Sequence, residues 1–166
     1  GNQISDCQVG IVLIGANSTI TGNNLTHTDV GIYLGAGVYE EDNNNLVSEN
    51  NVVSSGIGIL SYSGLGPNKI TRNYLRKNGV GVKTSGGIET ISYNEIVDCE
   101  NGIVSSRLVE KFICENTILN CTFGIDGSEC GDWLMIFKNR IANCKGFGIR
   151  LVRCSVLENA RCNVSE

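Results

Sequence analysis

The pattern apolar-x-x-Asn-x-apolar returns along the whole chain, and no other feature limits the possible folds as strongly. It occurs at Ile20, Asn23 and Leu25, at Val47, Asn50 and Val52, at Ile70, Asn73 and Leu75, at Ile91, Asn94 and Ile96, at Ile113, Asn116 and Ile118, and at Ile136, Asn139 and Ile141. Asn2 opens the series and Asn159 closes it, so eight asparagines fall in one column. The intervals between them are 21, 27, 23, 21, 22, 23 and 20 residues. A period of about 22 residues with no helical stretch between repeats is the mark of a solenoid whose coils carry short parallel strands.

A second column supports strands. Eight or nine residues after each Asn stands a glycine followed by Ile or Val: Gly10, Gly31, Gly58, Gly81, Gly102, Gly124 and Gly148. The residue after glycine is always aliphatic, whereas the next position holds Val12, Tyr33, Leu60, Lys83, Val104, Asp126 and Arg150. One column faces inward and its neighbour faces outward, as alternation in a strand requires. The expectation is an all-β parallel β-helix of about seven coils, one domain over residues 1–166. With strands about 4.8 Å apart, seven coils make a rod on the order of 34 Å long. The ladder asparagine is expected at a corner, in the left-handed conformation it tolerates, with its amide bonded to the coils above and below.

The repeat I-x-x-N-x-I-x-x-C-x-x-G-I, as in the segment from Ile91 to Ile103, resembles the repeats of right-handed parallel β-helix proteins, the pectate-lyase-like and NosD-like families. The resemblance covers essentially the whole chain and implies the right-handed form. These families include lyases, epimerases, tailspikes and surface repeat proteins, so the fold does not choose a function.

The acidic balance, a net charge of −4 and pI of about 5.0, excludes a phosphate-tracking surface and with it nucleic-acid partners. The longest apolar run, from Val9 to Ala16, is too short to span a membrane. Eight cysteines and sequons at Asn17, Asn24, Asn120 and Asn163 point to an extracellular or cell-surface protein. Cys7, Cys99, Cys121 and Cys144 all follow a ladder Asn by five residues, continuing a column held elsewhere by Thr28, Ser55 and Asn78. They read as small buried side chains. Cys130 and Cys154 each stand six residues after their glycine and form the candidate disulfide.

Candidate chemistry is sparse. Tyr33, Lys83, Asp126 and Arg150 share the outward column and could bind a sugar acid. Calcium could use Glu40, Glu41 and Asp42, or Asp126, Glu129 and Asp132, although neither set has a known loop spacing. No catalytic constellation, cofactor site or other metal site stands out. The insertions from Gly35 to Asn45 and from Ser63 to Asn68 are edge loops of the kind that carry binding. The chain begins and ends on its ladder, and its apolar columns would be exposed there. The expectation is a structural protein, part of a longer β-helix or self-associating head to tail or laterally into a filament or surface layer. Cys7 and Cys162 would then meet at a junction. The alternatives are a carbohydrate-binding or polysaccharide-processing module and a phage tailspike shaft.

Overall fold

The computed structural model describes residues 1–35, 44–62, 66–107, 110–129 and 134–154. Asn159, Cys130, Cys162, Asn163, Glu40, Glu41, Asp42, Asp132, most of the first inserted loop and half of the second lie outside these residues. Within them the chain winds through β1 (Gln3–Ile14), β2 (Thr19–Thr21), β3 (Asn24–Gly35), β4 (Leu46–Ser48), β5 (Asn51–Val53), β6 (Ile57–Tyr62), β7 (Asn68–Thr71), β8 (Tyr74–Arg76) and β9 (Val80–Ser85). It continues through β10 (Ile88–Ser92), β11 (Glu95–Val97), β12 (Asn101–Ser106), β13 (Glu110–Cys114), β14 (Thr117–Leu119), β15 (Phe123–Ser128), β16 (Leu134–Phe137), β17 (Arg140–Ala142) and β18 (Ile149–Val152). Helices are absent from the described residues.

The pairing is parallel and in register. Ile91 pairs with Ile70 on one side and Ile113 on the other, and Ile103 pairs with Val82 and Ile125. β2, β4, β7, β10, β13 and β16 form a six-stranded sheet, and the remaining strands form a twelve-stranded one. Six turns are therefore closed, and β18 adds a seventh strand to the glycine side. The core lies between the sheets. Leu25, Val52, Leu75, Ile96 and Ile118 make one fully buried ladder, and Ile32, Ile59, Val82, Ile103 and Ile125 make another. Each such side chain contributes about 1.5–3 kcal/mol of burial, and the repeat supplies one per column per turn.

The glycine column marks close stacking. A Cβ on Gly102 would sit 2.5 Å from the Gly124 carbonyl oxygen and 2.7 Å from Ile118 Cγ2. No side chain fits there without separating two coils.

The asparagine ladder is present, but the left-handed residue is its predecessor. Glu49, Arg72, Tyr93, Glu115 and Lys138, each just before a ladder Asn, have φ of 54–56°. This corrects the expectation that Asn itself takes the strained conformation. The residue at φ > 0 turns the chain and points to solvent, and the turn then aims the next side chain inward, where its amide is needed. Asn94 Nδ2 donates to Asn116 Oδ1 at 3.0 Å and to the Ile70 carbonyl at 2.9 Å. Its Oδ1 accepts from the backbone N–H and Nδ2 of Asn73, both at 3.0 Å. A second corner follows the same rule, with Asp6, His27, Ser54, Lys77, Asp98, Asn120 and Asn143 at positive φ before the column that runs from Cys7 to Cys144.

Candidate functional site

The outward column is assembled as its spacing requires. Tyr33, Leu60, Lys83, Val104, Asp126 and Arg150 lie on successive strands in direct register. Asp126 and Arg150 form a two-point ion pair, with Nε–Oδ1 at 3.0 Å and Nη2–Oδ2 at 2.5 Å. The hydrogen bond to Asp126 raises the Arg150 pKa further above its already high value. The Arg150 guanidinium also lies 4.5 Å over the Phe147 ring, which stacks on Phe123. The acid and base offered to a sugar acid thus already satisfy each other. Lys83 is separated from Asp126 by Val104, and Tyr33 meets Tyr62 edge to face at 6.2 Å.

The second calcium set is not assembled among the described residues: Asp126 faces Arg150, and Glu129 lies 4.0 Å from Arg153. Cys154 is a free thiol, 3.6 Å from the Gly127 carbonyl, so the candidate disulfide receives no support. Cys7 is a half-buried free thiol. Cys114, in an outward column, is nevertheless buried, and burial pushes its thiol pKa up. Of the sequons, Asn17 and Asn120 are exposed at left-handed corners. Asn24 is half-buried and its amide joins Gln3 and Asn51.

Two interior columns hold polar chemistry. The first begins five residues before each ladder Asn: Ser18, Asn45, Asn68, Glu89 and Lys111, ending on Leu134. Lys111 Nζ and Glu89 Oε2 are 3.0 Å apart with both side chains fully buried, and Lys111 also donates to Thr84 Oγ1 at 2.6 Å. Thr84 bonds in turn to Ser105 at 3.2 Å. This ion pair inside the aliphatic core was missed from sequence. The signal was there: Glu89 and Lys111 share strand parity with inward-facing Ile91 and Ile113.

The second interior column is the thiol one. Cys99 and Cys121 are buried and Cys144 half-buried, all three free. The sulfurs occupy the place of an amide oxygen. Upstream, the Ser55 backbone N–H donates to Asn78 Oδ1 at 2.8 Å. One coil on, the Asn78 N–H points at Cys99 Sγ, the Cys99 N–H at Cys121 Sγ and the Cys121 N–H at Cys144 Sγ. The Cys99 thiol donates to the Leu75 carbonyl at 3.7 Å and the Val97 carbonyl at 3.5 Å, and the Cys121 thiol to the Leu119 carbonyl at 3.5 Å; the neighbouring Cys121 thiol and burial push the Cys99 pKa up, and the neighbouring Cys99 thiol lowers that of Cys121.

A stack of parallel strands wound into a closed coil, with an asparagine at one corner and a glycine column along one set of strands, defines a parallel β-helix protein. The family model described as "Periplasmic copper-binding protein (NosD)" matches residues 1–89 and again residues 76–159. The chain belongs to this family, one of right-handed parallel β-helix repeats. Comparison with curated proteins and with solved structures gave no match.

The family description raises the question of fit for copper. Among the described residues, no three His, Cys, Asp or Glu side chains converge as a many-liganded divalent ion would need. The donors that do stack are thiols, and soft sulfur suits monovalent copper. Cys99 and Cys121, buried on adjacent coils, are the residues that would hold it.

Proposed function

We propose that this protein is a structural β-helix module that works outside the cytoplasm and associates laterally with copies of itself. The observation that carries this is the apolar outer face of the twelve-stranded sheet. Val30, Ile57 and Val80 lie in register on β3, β6 and β9, each only half-buried, beside Tyr33 and the exposed Tyr62. A flat aliphatic sheet face is the surface that a second sheet covers at a spacing of about 10 Å. Patches of this kind on soluble proteins mark interaction sites. The family's periplasmic description agrees with an extracytoplasmic place. Light scattering of the purified protein is expected to give a mass above 17.8 kDa that rises with concentration, and Ile57→Lys is expected to return it to 17.8 kDa. A wild-type mass fixed at 17.8 kDa over a wide concentration range overturns the proposal.

A second reading is that the family's copper description extends to this chain, in the monovalent state. The thiol column favours it, because its donors match the softness of Cu(I). The test is retention of cuprous ion by the reduced protein against a colorimetric chelator, with no retention as the overturning result. Polysaccharide binding at Tyr33 and Lys83 is separable from both by a glycan array run with Lys83→Ala.

A further inference from the structure

We infer that Lys111 and Glu89 are the reactants of an intramolecular isopeptide bond that ties β13 to β10 inside the coil. The inference is independent of lateral association and of copper, because both side chains lie in the core away from the sheet face and the thiol column.

Three observations converge on this pair. The first is reach. β10 and β13 pair in register with Glu89 opposite Lys111, and Lys111 Nζ stands 3.0 Å from Glu89 Oε2. Groups held in place at that distance react as though each were present at an effective concentration on the order of 10⁵–10⁸ M. The packed coils thus supply the positioning that an enzyme would otherwise provide.

Burial is the second observation. Both side chains are 0% exposed, and Ile91 and Ile113 of the same two strands belong to the aliphatic cluster. In water, hydration holds an amine and an acid in their charged forms, and an ammonium has no lone pair with which to attack. A dry core removes that hydration and favours the neutral amine and acid. A desolvated lysine amine is a nucleophile. The amide formed carries no charge, so the interior that penalises the ion pair accepts the product. Lys138 and Glu115 provide the contrast, meeting at 3.5 Å on the outside, where water keeps both charged.

The third observation is a proton carrier. Lys111 Nζ donates to Thr84 Oγ1 at 2.6 Å, and Thr84 and Ser105 share a hydrogen bond of 3.2 Å. A hydroxyl beside the attacking nitrogen accepts its proton while passing its own to the departing oxygen. Ser61, in register with Thr84, is fully buried, and its Oγ has no hydrogen-bond partner among the described residues. It offers the leaving water a polar group.

The step balances without an oxidant or a co-reactant. A proton passes from the Lys111 ammonium to the Glu89 carboxylate, and the Nζ lone pair then attacks Glu89 Cδ. One C–N bond forms, one C–O bond breaks, and the hydroxyl of the acid leaves with one N–H proton as water. The product closes the chain covalently across one full turn.

The experiment is mass spectrometry of the intact folded protein, as purified and after incubation at neutral pH, followed by tryptic mapping. The expected mass is one water molecule below that of the sequence. The map is expected to show a branched peptide joining Lys111 to Glu89, no cleavage after Lys111, and Lys138 unmodified. Lys111→Arg keeps the positive charge but removes the nucleophile, and should show the full sequence mass. Thr84→Val keeps both reactants at nearly the same volume, and should slow the loss of water about hundredfold or more. Circular dichroism checks that the variants fold, and the wild-type result stands without them. A wild type that keeps its full mass overturns the inference, as does a water loss mapped to residues other than 89 and 111. Equal rates in the wild type and folded Thr84→Val overturn the role given to Thr84.

Discussion

Each ladder asparagine uses both ends of its amide, and that sets what its removal costs. Asn94 is 1% exposed and bonds to Asn73, Asn116 and Ile70. Leucine in its place takes the acceptor from the buried Asn73 backbone N–H and the side-chain donor from Asn116 Oδ1 and the Ile70 carbonyl, while Asn116 Oδ1 keeps the bond from the residue-94 backbone N–H. Asn94→Leu is expected to cost about 3 kcal/mol or more, a fall in Tm of roughly 6–12 °C by differential scanning calorimetry. Exposed corners respond to acid instead. The Asp98 carboxyl is held below its ordinary range by hydrogen bonds from Asn120 and Arg76, and that of Glu115 by a hydrogen bond from Tyr93. A carboxylate whose folded pKa lies below its unfolded one stabilises the fold above the unfolded value and loses that stabilisation as pH falls through the folded one. The urea midpoint is thus expected to hold from pH 7 to about pH 5 and to drop below about pH 4. Asp98→Asn should make that drop shallower.

At the scale of the elements, β10 and β13 differ from their neighbours by the charges they bury. Glu89 and Lys111 pair only while the two strands stay in register, since a slip of either strand by one residue turns its side chain to the outside. We read the pair as a register lock between these coils. Removing one partner leaves the other charge in the core without this ion pair. Lys111→Met is therefore expected to cost about 3–5 kcal/mol, and Lys111→Met combined with Glu89→Leu less than Lys111→Met alone. Equilibrium urea unfolding of the single and double variants measures the coupling. Additive costs would show that the two charges do not depend on each other.

For the whole molecule, the repeat makes two unlike outer surfaces. The second-corner side carries paired charges such as Arg76 with Asp98 and Lys138 with Glu115 on the neighbouring Asn corner, whereas the glycine side presents Val30, Ile57 and Val80. Association through the aliphatic side follows apolar burial, so sodium sulfate should raise the average mass in sedimentation velocity. Dissociation by sulfate or sodium chloride would assign it to ion pairs instead.

The parallel β-helix was legible in the sequence because a solenoid repeats its environment each turn. Every coil must put an amide at the Asn94 corner, an aliphatic residue at the Ile96 position and no Cβ at the Gly102 position, so the requirement is written seven times over. The candidate site was less legible because it depends on neighbours in space that lie 21 to 27 residues apart. Sequence placed Cys99, Cys121 and Cys144 in one column but read them as filler, and it placed Asp126 beside Arg150 without showing that they neutralise each other. The tertiary structure decided those points, together with the conformation of the corners and the burial of Glu89 against Lys111. A column position fixes which way a side chain points, but only the packed coils fix what it meets there.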